Sequence, residues 1–342
     1  MVGALLALLA AATFAFNAAT ARRAVLRASV LQGLAITVPL GVPLFLLIAW
    51  LLGGAGQLAA MPGEAVLWFV AAGVIHFVGG RYSNYRAAKA IGANLSAPIM
   101  QTDILLSLAL AILVLGETLT PLRMIGIALV LIGPALVFPR GGMRRTVGAA
   151  AVPPASATPP GGAAQVASSG FKPKYAEGYL FSLLCALAFG TSPILISIGL
   201  EKAGPGSSLA GGFISYLAGA LVIGAVVVAS GQINHVLSVE RVPARWFLLT
   251  GLLVCLSQIF RYAALSLAPV SVVAPIQRLS NIFRIYASWL INREHEVFDS
   301  SVIVATVVSL LGAVALSVST EAVLATLPLP DWLEAAARWQ WP

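Results

Sequence analysis

Seven polar or charged side chains sit where the surrounding chain is almost wholly apolar, and these are the residues that could do chemistry. Gln277, Arg278, Asn281 and Arg284 share one apolar stretch, Asp103 lies in a second, and His76 and Asn17 in two more. Gln277, Asn281, Arg284 and Ser288 recur at spacings of 4, 3 and 4, which on a continuous helix places them on one face. Arg278 flanks that face, roughly 60° from Asn281 on an ideal helix. The chemistry on offer is recognition. Guanidiniums suit an anionic group, a carboxylate can act as counter-ion or proton carrier, and imidazole exchanges protons near neutral pH.

An arginine at mid-helix in a bilayer costs about 2.5–3.5 kcal/mol, and a good apolar residue returns only about 0.3–0.6. The polar face of residues 270–291 must therefore meet protein or a watery cavity. Two readings of Asp103 follow. It forms a buried ion pair with Arg284 that fixes helix packing, or Arg284 and Arg278 bind an anionic substrate group with Asp103 as counter-ion or proton site. On the segment holding Asp103, the residues Ser96, Met100, Asp103 and Ser107 would share a face. Thr13, Asn17 and Thr20 line one side of the first apolar segment and either coordinate a ligand or hold helices together. His76 is either a proton site or a histidine bonded to a backbone carbonyl. Gln258, Arg81 and Arg261 are placed at the fringe of a cavity mouth.

No nucleophile elbow, His/Glu metal spacing or Walker-type glycine loop is present. The expectation is a protein that is not an enzyme and that uses no cofactor or metal. Cys185 and Cys255 fall inside apolar segments and read as buried, inert thiols.

The elements that must position these residues are set by composition. Of 342 residues, 59% are hydrophobic and only 9% charged, and the mean hydropathy is +0.95. Soluble domains carry about 25% charged residues, so this is a membrane chain. Ten apolar spans are expected, at about 2–21, 29–52, 64–88, 94–115, 120–138, 177–199, 208–230, 244–267, 270–291 and 300–320. The first lacks a basic n-region and reads as a resident helix, not a signal peptide. Residues 139–176 are rich in Pro, Gly and Ala and read as a disordered linker. Residues 321–342 carry Trp332, Trp339 and Trp341 beside charged residues, as in a short helix lying at the membrane interface.

The net charge of +8 is spread over span ends and the linker, with no basic stripe for nucleic acid. Nucleic-acid binding is not expected; a small-molecule substrate and membrane lipid are the expected partners, and oligomeric state is not encoded in these patterns. Basic residues crowd the linker side, among them Arg22, Arg23, Arg27, Arg86 and Lys89, while Arg123, Lys202, Arg261 and Arg338 occupy the other. The positive-inside rule then puts the linker in the cytoplasm and both termini outside. The short loops suit the cell membrane, in the form of a bacterial inner membrane.

The chain also repeats itself. Ala97-Pro98-Ile99 recurs as Ala274-Pro275-Ile276, Tyr85 as Tyr262, Ala87 as Ala264 and Glu117 as Glu294, always 177 residues apart (97 to 274). Five spans per copy would insert the copies in opposite senses, and substrate sites in such folds lie between the halves near the midplane. Glu117 precedes Thr118-Leu119-Thr120-Pro121 and reads as a cap on the helix that follows. Leu115-Gly116-Glu117, Gly126 and Gly133 with Ala97-Pro98, and Tyr262-Ala263-Ala264, Ala274-Pro275 and Glu294 in the second copy, resemble the EamA-type repeat of the drug/metabolite transporter superfamily. The second copy departs from it in having Asn292-Arg293-Glu294 for Leu-Gly-Glu and Ile303 for Gly126.

That resemblance implies an all-α membrane fold of ten transmembrane helices in two inverted five-helix repeats, with residues 1–138 as the first repeat and 177–320 as the second. It implies transport of a small metabolite, which the arginines suggest is anionic or zwitterionic, by alternating access; export coupled to protons is an expectation that rests on Asp103 and His76. A lipid-phosphate flippase and a non-transporting membrane subunit are the rival functions. Members of the superfamily usually keep their termini in the cytoplasm, against the charge bias here.

Overall fold

The computed structural model describes residues 1–25, 27–52, 54, 56–100, 102–137, 174–291, 300–318, 320–321, 324 and 330–341. Nearly all of them are helical. The elements in the first half are α1 (Val2–Val25), α2 (Val30–Thr37), α3 (Gly41–Leu51), α4 (Gly56–Ala59) and α5 (Gly63–Gly73). A π-helical turn (Val74–Gly80), α6 (Arg81–Met100), α7 (Asp103–Leu115) and α8 (Pro121–Val137) follow. The second half comprises α9 (Tyr175–Ala203), α10 (Ser208–Ala229), α11 (Ile233–Leu237), α12 (Arg241–Leu265), α13 (Val270–Gln277), α14 (Ser280–Ile291) and α15 (Ser300–Ser317). A terminal α16 (Asp331–Arg338) completes the chain.

Among the described residues six stretches are long and apolar enough to cross a membrane: Val2–Val25, Val30–Leu51, Gly63–Ile91, Tyr175–Ala203, Ser208–Ala229 and Arg241–Leu265. Their outer faces expose large apolar side chains such as Leu46, Leu47, Leu183, Leu221 and Leu252. In water such a surface would be an aggregation liability; in a bilayer it is the solvated face. This is a multi-pass membrane protein.

The spans expected at 94–115 and 270–291 are not single helices. The first is divided at Thr102, where α7 restarts at Asp103, and the second at Arg278 and Leu279, where α14 restarts at Ser280. Asp103 and Ser280 are one repeat offset apart (103 to 280). The breaks cancel two expected faces. Gln277 lies before the break and Asn281, Arg284 and Ser288 after it, so one helical wheel does not hold them; Ser96 and Met100 are separated from Asp103 and Ser107 in the same way. Contacts also show the chain doubling back before Asp103. Gly80 packs on Phe189, Ile91 on Gly178 and the Asp103 carbonyl against Gly190, so α9 is followed downward and then upward.

The most extensive helix pairings join the two halves of the chain: α1 on α12, α8 on α15, and α9 on α5, α6 and α7. Two close crossings require glycine. A Cβ at Gly73 would collide with the Ser215 carbonyl on α10, and Gly126 and Gly312 each meet the other's carbonyl oxygen, so α8 and α15 cross backbone to backbone. Cys185 and Cys255 are buried and free, as expected.

The C-terminal segment contains a helix, α16, with the side chains of Trp332, Trp339 and Trp341 exposed. It is also tied down: Leu119 and Trp341 exchange both backbone hydrogen bonds at 3.0 Å. The linker expected at 139–176 lies outside the described residues except Lys174 to Ala176, where Tyr175 already opens α9. Glu294 and its neighbours Asn292 and Arg293 also lie outside them.

Candidate functional site

The two helix breaks meet. Asp103, at the first turn of α7, is paired with Arg278, in the break between α13 and α14. Asp103 is only 1% exposed, and its Oδ1 and the Arg278 Nε have no further partner among the described residues. The carboxylate gains from its place at a helix start, where the macrodipole is positive. Ser107, one turn on, donates to the Gly190 carbonyl at 2.8 Å and fixes α7 against α9. One of the two readings of Asp103 paired it with Arg284. Arg278 takes that place because the break releases it from the helical wheel and turns it toward α7; Arg284 is half-buried on α14 and makes contacts of its own.

A second group forms around His76, in the π-helical turn. Arg261 Nη1 approaches His76 Nδ1 at 3.2 Å, and the Gln258 side-chain amide lies 3.0 Å from Nε2. Arg261 also reaches Ser192 Oγ from Nη2 and Gln258 Oε1 from Nη1, each at 3.4 Å. Guanidinium only donates, so the His76 nitrogen it faces must accept, and the ring is neutral in this arrangement. The ring is held further by Phe189 and Phe77, with centroids at 4.7 and 4.9 Å. His76 is therefore bound by side chains, not by a carbonyl, and Gln258 and Arg261 are buried partners of it instead of the rim of a mouth.

Arg81 forms the third part. The π turn closes with the Arg81 N–H bonded to the His76 carbonyl. At 100° per residue an α-helix would set residues five apart well off one another's face; the wider π turn brings them onto the same side. π turns of this kind are frequent at functional sites. Arg81 is 4% exposed, donates from Nη1 to Thr37 Oγ1 at 3.4 Å and lies over the Phe77 ring at 5.5 Å. Its Nη2 makes no hydrogen bond of ordinary length among the described residues, and beside the guanidinium lies the hydroxyl of buried Tyr216, whose ring stacks on Phe77 with centroids 4.0 Å apart. Arg81 and Arg261 both act electrostatically on His76, and Arg261 also acts on Asp103. The three groups are one polar centre inside an apolar bundle.

The other expected residues divide. Asn17 is buried on α1 with Oδ1 unpartnered among the described residues, between Thr20, which accepts from Thr250 at 2.9 Å, and Ala10, whose carbonyl accepts from Ser257 at 2.8 Å. It thus faces α12. Thr13 bonds its own helix at Leu9 and Ala10, and Thr20 glues α1 to α12. Gln277 is half-buried at the end of α13; the Asn281 side chain lies outside the described set. Glu117 does not cap the helix after it. Gly116 ends α7 in the left-handed conformation, φ +65°, and this turns Glu117 onto the start of α13, where it accepts from Val270 N at 2.7 Å and Ser271 N at 2.8 Å.

Arg81, Gln258 and Arg261 carry more of the centre than their sequence positions suggested. A signal existed: Gln258 aligns with Arg81 at the repeat offset (81 to 258), so polar residues occupy equivalent points of two otherwise apolar spans. Among the described residues no three His, Cys, Asp or Glu side chains gather where a metal could bind.

On the linker side the bundle opens into a cavity of about 590 Å³, lined by Ser29, Tyr82, Arg86, Lys89, Glu177 and His235 among others. Arg86 and Glu177 pair across it. Ser29 and Gln32 form a reciprocal cap at the start of α2, and both also reach α11: His235 Nε2 lies 2.9 Å from Ser29 Oγ, and Gln32 donates to the His235 carbonyl at 2.7 Å.

Comparison with curated proteins gives no match. One solved crystal structure, described simply as that of a protein, shares the fold with a TM-score of 0.63 at 16% identity, over 92% of this chain and 95% of that one. The profile of the EamA-like transporter family matches residues 1–138 and 176–318, nearly everything that surrounds the polar centre. The chain therefore belongs to the EamA-like transporter family, within the drug/metabolite transporter superfamily.

Proposed function

We propose that this protein is a secondary transporter that moves a small anionic or zwitterionic metabolite by alternating access around the Asp103, Arg278, Arg261 and His76 centre. The observation that carries the reading is the Asp103–Arg278 pair. It joins two broken helices, one from each half, at a depth where each break frees backbone polar groups that only a cavity or protein can satisfy. Family membership supports transport; the excess of guanidiniums over carboxylates at the centre supports an anionic group on the cargo.

The full architecture in this reading is ten spans in two inverted repeats. Reciprocal packing supports it: α1 on α12 is matched by α9 on α5 and α6, α1 on α14 by α9 on α7, and α8 meets α15. The linker side faces the cytoplasm of a cell membrane, in the form of a bacterial inner membrane, in keeping with the basic residues there. The central groups are closed off while the linker-side cavity is open, which suits an inward-facing, occluded state.

Export coupled to protons completes the reading, with Asp103 and His76 as carriers. The test is reconstitution of the purified chain in liposomes and exchange of labelled metabolites from a panel. Active exchange that is lost in Arg278→Leu, in protein that still inserts, supports the site. Unchanged exchange in that variant removes Arg278 from it. Transport that moves no protons and ignores pH would end the coupling proposal alone.

A further inference from the structure

The charges at the centre do not balance, and the imbalance names a class of cargo. Three guanidiniums, Arg81, Arg261 and Arg278, face one buried carboxylate among the described residues, Asp103. Asp103 is taken by Arg278. Arg81 is left with the Thr37 and Tyr216 hydroxyls and the Phe77 face. Arg261 is left with His76, Gln258 and Ser192, all of them neutral. No carboxylate lies within ion-pair distance of either among the described residues. Among the described residues Nη2 of Arg81 and Nε of Arg261 make no hydrogen bond of ordinary length, and the buried Tyr216 hydroxyl lies beside the Arg81 guanidinium. A buried charge without a counter-charge at hand is among the costliest things a protein can hold; Arg261 feels Asp103 only beside the like charge of Arg278, and Arg81 has no carboxylate in ion-pair distance among the described residues.

The placement is not scattered. The π turn puts Arg81 and His76 on one side of their helix, and Arg261 meets that same side from α12. On the reading of this chain as a transporter, we propose that the cargo is a small dianion, carrying two carboxylates or one phosphate monoester, whose two negative charges are met by Arg81 and Arg261. The Tyr216 hydroxyl supplies a further donor, and His76 separates the two guanidiniums when the site is empty. A monoanion leaves one guanidinium uncompensated, and a zwitterion adds a third positive charge beside them. Both are discriminated against on charge, whatever their shape.

The test uses the purified full chain. Thermal shift and equilibrium binding are measured with succinate, inorganic phosphate and glycerol phosphate as dianions. Monomethyl succinate serves as a monoanion and alanine as a zwitterion. Neutral-lipid nanodiscs with and without a phosphomonoester lipid separate a soluble cargo from a headgroup. At least one soluble dianion should bind ten-fold or more tighter than monomethyl succinate and alanine. Arg81→Gln and Arg261→Gln should each weaken that binding ten-fold or more, with partial recovery in the lysine variants. The same glutamine variants should melt higher than the native chain when empty, because an uncompensated buried charge has gone; a purely structural arginine would do the reverse.

Equal binding of monoanion, zwitterion and dianion, binding of no dianion, or full dianion affinity in Arg81→Gln and Arg261→Gln would each overturn the proposal. Stabilisation by the phosphomonoester lipid alone would overturn a soluble cargo. Dianion binding without exchange in liposomes would overturn the transport reading and keep the site. Exchange of a zwitterion with no dianion binding would do the opposite.

Discussion

The Glu117 carboxylate accepts the N–H groups of Val270 and Ser271 at 2.7 and 2.8 Å, so the end of α7 holds the start of α13 from the other half of the chain. Two orphan donors of a helix start are satisfied by one carboxylate, which also meets the positive end of the dipole. Glu117→Ala should cost about 1–2 kcal/mol, within the range for lost helix caps, and Glu117→Gln less, since one acceptor oxygen remains. Thermal unfolding in detergent should rank native above Gln above Ala. Identical melting of all three would show that the carboxylate contributes nothing to holding the halves together.

Asp103 and Arg278 should behave as a coupled pair. Removing one partner strands the other's charge, and such losses run to about 3–5 kcal/mol. Asp103→Leu and Arg278→Met, each damaging alone, should together recover most of the stability. Losses that simply add would mean that the two side chains are energetically independent.

Gly73 is predicted to tolerate nothing larger. Its neighbour is the Ser215 carbonyl, a backbone atom on a packed helix that cannot swing aside, and Ser215 is itself bonded to the Phe69 carbonyl at 2.7 Å. Gly73→Val should lower stability by at least the 1–3 kcal/mol typical of overpacking. Gly79→Ala, where a Cβ meets nothing within 4 Å, should be neutral or stabilising. A Gly73→Val protein that melts with the native one would show that α5 and α10 separate freely.

The Arg86–Glu177 pair predicts a smaller effect. The side chains are 40% and 27% exposed, so solvent screens the attraction and Glu177→Gln should change stability by no more than about 1 kcal/mol. Part of the hold comes from the Tyr82 and Phe181 rings beside the guanidinium, at 6.0 and 5.3 Å. Phe181→Ala should therefore cost at least as much as Glu177→Gln in melting experiments run at low and high salt, and only the Glu177 variant should lose its effect as salt rises.

Much of this was legible beforehand, for reasons that lie in particular residues. Apolar runs and buried thiols are set by composition, and the cost of a charge in lipid forces Asp103, His76 and the arginines inward whatever their partners. Partner choice was not legible, because it depends on where a helix stops. The duplicated Ala-Pro-Ile marked a repeat but not the breaks that follow it at Thr102 and Arg278, because a proline's missing N–H and ring act on the turn before it. A wheel drawn through such a break assigns Arg284 to Asp103; the broken backbone delivers Arg278. Glu117 was misassigned for a related reason. The left-handed turn at Gly116 sends the carboxylate to a helix more than 150 positions later (117 to 270), and no local rule reads across that distance.

The pairing of α1 with α12 and of α8 with α15 has a consequence for biogenesis. During synthesis the early helices enter the bilayer long before their principal neighbours have been made, and α1 must wait for more than 200 further residues (25 to 241). Until then Asn17 and Asp103 lack the contacts that α12 and Arg278 provide, and the nascent chain has to tolerate them in lipid or in the insertion machinery. Domain-by-domain folding, the ordinary route for long chains, is closed to this one. A ribosome that stalls in the linker would leave behind half a protein with nothing to fold against.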